Sequence, residues 1–120
     1  MSRTRILIVA VVLLLFVAAG GVLIFTSGHK GGQNLTFNLT VTGAKSMMPT
    51  SLSAHVNDNV TINITSDTTG EVHLHVYDIA FNTVAGQTVS HTFKADKTCG
   101  SCDIEWESTG AHLGALTVSP

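Results

Sequence analysis

The stretch VTINITSDTTGEVHLHVYDI, from Val60 to Ile79, contains two alternating runs separated by the polar segment SDTTG. Apolar residues stand at every second position of each run, which is typical of strands with one buried face. The segment between them has the composition of a turn. The stretch therefore predicts two strands with buried Val60, Ile62 and Ile64 in the first, and Val72, Leu74 and Val76 in the second.

The same alternation continues on both sides of this stretch. It occurs in LTFNLTVT from Leu35, SLSAHV from Ser51, QTVSHTFKA from Gln87, SCDIEWE from Ser101 and ALTVSP from Ala115. No segment after Asn34 combines a helical period with helical length. About seven short strands separated by turns predict an all-β, antiparallel Greek-key sandwich over residues 34–120.

An uncharged apolar run of 20 residues, Ile6–Phe25, precedes the strands. As a helix it is about 30 Å long, which matches the hydrocarbon core of a bilayer. Arg3 and Arg5 precede it and the next basic residue is Lys30, so the N-terminus is expected in the cytoplasm and the rest outside. We predict a cytoplasmic tip and single transmembrane helix over residues 1–27, a Gly-rich linker over 28–33, and a domain over 34–120.

A cleaved signal peptide is the alternative interpretation of the apolar run. The small residues Val17, Ala18 and Ala19 before Gly20 suit a signal peptidase, but the run continues beyond that point. Both interpretations export the domain. The first places the chain in the plasma membrane as a single-pass protein held by lipid.

The charge of the chain argues against several functions. Only 12% of the residues are charged, and the part after the apolar run has four lysines and eight carboxylates. A formal charge of −4 excludes a nucleic-acid partner. No nucleophile–base arrangement and no phosphate-binding glycine loop is visible, so we do not expect an enzyme.

Four Asn-x-Thr sequons begin at Asn34, Asn38, Asn59 and Asn63. In an exported domain they are acceptors for N-glycosylation where the machinery exists. Alternatively, Asn and Thr are the outward residues of alternating strands.

The order MMPTSLSAHVNDNVTINITSD, EVHLHVYD, VAGQTVSHTFKADKTCGSCDIEWE and GALTVSP resembles the cupredoxin-like domains of exported and membrane-anchored proteins. The resemblance implies a copper protein, in which His75 or His73 matches the first ligand of a type 1 centre. Glu107 stands where that centre has its cysteine, and His112 lies near the axial methionine position. Without the thiolate, a normal blue copper site is not expected. Cys99 and Cys102 also lack the spacing and position of the binuclear copper centre of cytochrome oxidase subunit II.

The histidines and cysteines nevertheless offer two candidate sites. His73 and His75 share one strand face and can hold copper or zinc, and the resemblance brings His112 and Met48 to the same pole. The alternative is that both histidines are exposed polar residues. Cys99 and Cys102 form either a disulfide across a tight turn, which export favours, or a soft-metal or dithiol site. The stripe Asp103, Glu105 and Glu107 is interpreted as a solvated strand face.

Two functions follow from these residues. The first is a copper-binding or copper-handling module, with His73, His75, His112 and Met48 as ligands and a copper-handling protein as partner. The second is a metal-free structural or interaction subunit of a membrane complex, with a disulfide at Cys99 and Cys102.

Overall fold

The computed structural model describes residues 31–120, which form a sandwich of two β-sheets. The described residues contain nine strands: β1 Asn34–Thr42, β2 Ser46–Met48, β3 Ser51–His55, β4 Asn59–Ser66, β5 Gly70–Leu74, β6 Ile79–Thr83, β7 Thr88–Lys94, β8 Cys99–Trp106 and β9 Ala111–Ser119. One sheet has the order β2-β1-β4-β7 and the other β3-β9-β8-β5-β6. The all-β, two-sheet architecture predicted from the alternation is therefore present.

The core lies between the two sheets and is built from the inward residues of the alternating runs. Val60, Ile62 and Ile64 on β4 are fully buried, as are Val72 and Leu74 on β5. Removing alternate apolar side chains from water on both sheets stabilises the sandwich at roughly 25 cal/mol per Å² buried. The same alternation leaves the outer face of each sheet to polar side chains.

The two sheets are mixed, and in this respect the prediction of an antiparallel sandwich is wrong. β1 pairs with β4 and β3 with β9 in parallel, whereas the other pairs are antiparallel. After β2 the chain crosses to the opposite sheet as β3 and then returns. This excursion brings β4 beside β1 in the same direction, which a hairpin cannot do.

The number of strands and one inward residue also differ from the prediction. The short strands β2 and β6 were not expected, and the run EVHLHVYDI divides into β5, a turn and the start of β6. Val76 lies in that turn with a φ of 73° and is exposed, instead of facing the core beside Leu74. Tyr77 packs against the core in its place.

The turn at Asn57 and Asp58 is built around a buried carboxylate. Asp58 accepts hydrogen bonds from the backbone N–H of Gln33 at 3.0 Å and of His55 at 2.8 Å. Its own backbone is held by His55 and Ala95. Asp58 thus joins the start of β1 to the connection between β3 and β4.

Residues 31–120 contain no helix that is long and apolar enough to cross a membrane. The predicted membrane segment Ile6–Phe25 lies outside the described residues, together with the rest of residues 1–30.

Candidate metal centre

Three neighbouring strands carry the candidate ligands on the outer face of the five-stranded sheet. His73 on β5 lies opposite Glu105 on β8, and Glu105 lies opposite His112 on β9. A register shift after Ile104 makes His112, and not the buried Leu113, the partner of Glu105. The shift explains why His112 faces outward.

His73, His75 and Glu105 bring three ligand atoms together. One nitrogen from each imidazole and one carboxylate oxygen all lie within 4.8 Å of one another. The two imidazole rings pack edge to face with centroids 4.5 Å apart. All three side chains are half-buried, so the cluster is partly shielded and still open to solvent. Two imidazoles and a carboxylate are a donor set that suits copper or zinc.

Within residues 31–120, one ring nitrogen of His73 makes a hydrogen bond and the other makes none. Nε2–H donates to Oδ1 of Asp78 at 2.7 Å, which leaves Nδ1 as the nitrogen with a lone pair. Within the described residues Nδ1 is buried and makes no hydrogen bond. Its nearest charged neighbour is Oε1 of Glu107 at 3.5 Å. A buried lone pair beside a carboxylate oxygen is unfavourable unless a metal ion or a proton lies between them.

His75 is coupled to Glu105. Nε2–H of His75 donates to Oε1 of Glu105. This hydrogen bond raises the pKa of His75, and burial opposes the rise only in part, while the charges of Glu105, Asp103 and Glu107 add to it. A metal ion that binds Nε2 must displace the proton on this nitrogen, which is hydrogen-bonded to Glu105.

The turn after β5 holds His75 and Asp78 in place. Val76 and Asp78 both have a positive φ, 73° and 55°, and a β-branched residue such as Val adopts this conformation only when its surroundings impose it. Tyr77 between them donates its hydroxyl hydrogen to the carbonyl of Lys97. This contact ties the turn to the connection before β8.

At the start of β5, Gly70 lets the indole of Trp106 lie against the strand. A Cβ on Gly70 would lie 2.2 Å from Cζ2 of Trp106. Trp106 is the register partner of Val72, two residues after Gly70. The pairing of β5 with β8 places His73 opposite Glu105 on the other face of the sheet.

The structure does not bring all the predicted ligands to one point. His112 lies in β9, not in a loop, and its Nδ1–H donates to Oδ1 of Asp103. It is a neighbour of the cluster but is not one of the three groups within 4.8 Å. Met48 faces outward from β2 in the other sheet, as its register partner Thr40 does, and its side chain is 70% exposed. It therefore lies on the opposite face of the sandwich from His73.

The two cysteines form a disulfide, with their Cα atoms 5.8 Å apart. They lie inside β8 across a bulge, because Cys99 pairs with Val118 and Cys102 with Leu116. The prediction of a tight turn is thus replaced by a bulged strand. Cys102 faces the core and is fully buried, as its position in the alternation predicts. With both sulfurs bonded to each other, no thiolate is present for a type 1 copper ligand set.

The sequence predicts neither Glu105 as a ligand nor Asp78 as the hydrogen-bond acceptor of His73. The acidic stripe on β8 was interpreted as a solvated face, whereas Asp103 and Glu105 contact histidines and Glu107 lies near one. The outward parity of Glu105 was visible in the sequence. What the sequence did not contain was the pairing of β8 with β5, which places that carboxylate opposite His73.

Comparisons with known proteins agree on the fold. No protein-family model matches the chain, and no curated protein does so either. Among solved structures, an apo copper-binding protein matches with a TM-score of 0.60 and 13% identity over 75% of this chain and 91% of that chain. The laccase from Botrytis aclada matches with a TM-score of 0.61 and 16% identity over 76% of this chain but only 23% of its own length.

A third match covers more of this chain. One chain of a heme-copper terminal oxidase dimer matches with a TM-score of 0.55 and 16% identity, over 98% of this chain and 95% of that chain. The three likenesses agree with the sequence resemblance. Residues 34–120 have a cupredoxin-like fold, and they lack the type 1 cysteine.

Proposed function

We propose that this chain is a membrane-anchored, extracytoplasmic copper-binding module that holds copper at His73, His75 and Glu105 instead of at a normal blue copper centre. The observation that carries the proposal is the convergence of one ligand atom from each of His73, His75 and Glu105 within 4.8 Å of one another. The buried Nδ1 of His73, which makes no hydrogen bond within residues 31–120, supports it. A bound cation removes the unfavourable contact of this nitrogen with Glu107.

Copper is the preferred cargo because of the donor atoms. A site made of imidazole nitrogens and a carboxylate oxygen binds Cu²⁺ more tightly than any other divalent first-row ion, including Zn²⁺. The cupredoxin-like fold, shared with an apo copper-binding protein and a laccase, supports the same choice.

Solvent access supports a handling role over permanent storage. The side chain of His75 is 41% exposed, and that of the neighbouring His112 is 68% exposed. A partner protein can therefore reach the site and take the ion by exchanging one ligand at a time. His112 is the proposed outer ligand during this exchange, which changes no covalent bond and makes the role non-enzymatic.

The proposed location is the plasma membrane. Ile6–Phe25 would anchor the chain with its N-terminus in the cytoplasm, and the sandwich would meet copper on the outer side. A copper-handling protein is the proposed partner, and no nucleic acid is involved.

The test is metal binding by the purified full-length protein. Cu²⁺ is added, excess ion is removed, and bound copper is counted in the parent protein, in H73A/H75A and in H91A. His91 is the matched control because it lies on β7 of the other sheet, where its ring contacts Phe81.

The expected result is about one copper per parent chain, retention in H91A and loss in H73A/H75A. Copper that is retained in H73A/H75A but lost in C99A/C102A, measured in the same way, would move the site to the two cysteines. A parent protein that holds no copper contradicts the proposal.

A second candidate function is a metal-free subunit of a membrane complex. It is favoured by the match to one chain of a heme-copper terminal oxidase dimer, which extends over 98% of this chain. Its test is native gel electrophoresis of membranes from the source organism. Comigration of this chain with haem absorbance supports it, provided that the parent protein also fails to retain copper.

A further inference from the structure

The outer face of the four-stranded sheet carries all four Asn-x-Thr sequons. Asn34 and Asn38 lie on β1, and Asn59 and Asn63 lie on β4. The parallel register places them in pairs, Asn34 opposite Asn59 and Asn38 opposite Asn63. Because asparagine and threonine stand two residues apart on a strand, each sequon presents both side chains on the same face.

The asparagine amides of the two strands are used differently. Nδ2 of Asn59 donates to Oδ1 of Asn34 at 3.1 Å, and Nδ2 of Asn63 donates to Oδ1 of Asn38 at 2.8 Å. The nitrogens on β4 are thus engaged, whereas β1 contributes only its oxygens to these bonds. The nitrogen is the atom that a glycan modifies.

The threonine hydroxyls divide in the same way. Thr61 and Thr65 on β4 are hydrogen-bonded to Thr92 and Thr88 on β7, at 2.8 Å and 2.7 Å. The hydroxyls of Thr36 and Thr40 on β1 make no such bond with any residue in 31–120. On β4, both the asparagine Nδ2 and the threonine hydroxyl of each sequon are therefore hydrogen-bonded. On β1, neither group makes such a bond within residues 31–120.

Access from the side also favours β1. β4 is flanked along its length by β1 and β7. β2 pairs with β1 only at Thr40–Thr42, so the part of β1 that carries Asn34 and Asn38 is a free sheet edge among the described strands. A modifying enzyme can approach this edge without separating two strands.

We propose that Asn34 and Asn38 are N-glycosylated and that Asn59 and Asn63 are not. Nδ2 forms a bond to the anomeric carbon of a sugar and loses one proton, while the bond from that carbon to the phosphate of a lipid-linked oligosaccharide donor breaks. This inference rests on the exported location proposed above. The glycans would cover the face opposite the metal centre and leave His73 and His75 accessible.

The experiment expresses the full-length protein in a eukaryotic host that N-glycosylates exported proteins, with a known glycoprotein as internal control. Intact mass is measured before and after enzymatic glycan release in ¹⁸O water, which labels each released asparagine. The matched variants are T36V/T40V and T61V/T65V, because valine keeps the shape of threonine and removes the hydroxyl.

The expected result is added glycan mass on the parent protein, an ¹⁸O label only on Asn34 and Asn38, and complete loss in T36V/T40V. T61V/T65V should keep the full mass. Label on Asn59 or Asn63, or an unmodified parent beside a modified control glycoprotein, overturns the proposal.

Protease accessibility in sealed membrane vesicles reports the location separately. A domain on the cytoplasmic side overturns both the exported location and the glycosylation. An exported but unmodified domain overturns the glycosylation alone and leaves copper binding to its own test.

Discussion

The carboxylate of Glu105 contacts Nε2 of His75, although His75 lies just beyond the last residue of β5. The backbone N–H of His75 donates to the carbonyl of Asp103 at 2.9 Å, which extends the contact of this segment with β8 beyond the strand itself. The hydrogen bond to Glu105 is the largest cause of the raised pKa of His75. A metal ion bound at Nε2 would therefore compete with the proton on this nitrogen.

The affinity for Cu²⁺ should increase with pH until the pH exceeds the raised pKa of His75. In E105Q the pKa of His75 should fall, because the charged acceptor is gone, and the midpoint of the pH dependence should move to lower pH. The affinity at high pH should also fall, because one ligand is lost. Copper titrations between about pH 5 and 8 measure both changes.

The exposed Asp96 on the connection to β8 provides the control. D96N should leave the midpoint and the affinity unchanged. An E105Q protein with the parent's pH midpoint would show that Glu105 does not control the protonation of His75.

The same pair affects stability in the metal-free protein. The folded-state pKa of His75 is raised above its ordinary value of 6.5. Its stabilising contribution is therefore complete below pH 6.5 and is lost as the pH rises through the raised value. Replacing Glu105 with Gln should weaken this pH dependence of the free energy of unfolding measured with urea, because the largest cause of the raised pKa is removed.

Asp78 should act on copper binding through His73. It accepts the hydrogen bond from Nε2 and so presents Nδ1 to the site. Loss of such a supporting partner typically costs 10–100-fold in metal affinity, and we expect a decrease of about this size in D78A. D78N should lose less, because its side-chain oxygen still accepts the bond and asparagine tolerates a positive φ.

Copper affinity and the ¹⁵N chemical shifts of the His73 ring measure the effect of Asp78. The shifts report which nitrogen carries the proton, which a general loss of stability would not change in the folded protein. Equal affinities in D78A and the parent protein would rule out a positioning role for Asp78.

Much of the fold was predictable because alternation determines which residues are buried. Leu35, Val60 and Leu116 are buried as the period of two requires. The parallel pairing of β1 with β4 was not predictable, because it depends on which sheet β3 joins, and no local pattern records that choice. Val76 was assigned to the wrong environment because the turn conformation overrides the alternation after Leu74.

The candidate site was only partly predictable. His73 and His75 follow from their spacing along one strand. Their partner Glu105 follows from strand pairing across 30 residues of sequence, and the outward position of His112 follows from a register shift. The expected contribution of Met48 rested on the family resemblance, and the fold places it on the other sheet.

Replacing Asp58 should destabilise the domain without affecting the metal site. In D58N, one of the two backbone N–H groups that Asp58 binds would face an NH₂ group instead of an oxygen. An unsatisfied buried donor costs about 1–3 kcal/mol, and we expect the free energy of unfolding in urea to decrease by about this amount. D96N, an exposed change of the same chemistry, should change it by less than about 0.5 kcal/mol.

Reduction of the disulfide should weaken the domain and leave copper binding intact. Cys99 and Cys102 are three residues apart, and closing so short a loop contributes about 2 kcal/mol in the chain-entropy model. Cys102 faces the core, whereas Glu105 lies three residues further along β8 on the outer face. Along a strand this separation is roughly 10 Å, so the sulfurs are remote from the three ligands.

Urea unfolding with and without a thiol reductant measures the stability, and copper bound by C99A/C102A measures the site. Loss of copper in that variant, with the fold retained by circular dichroism, would assign the metal to the cysteines instead of to His73, His75 and Glu105.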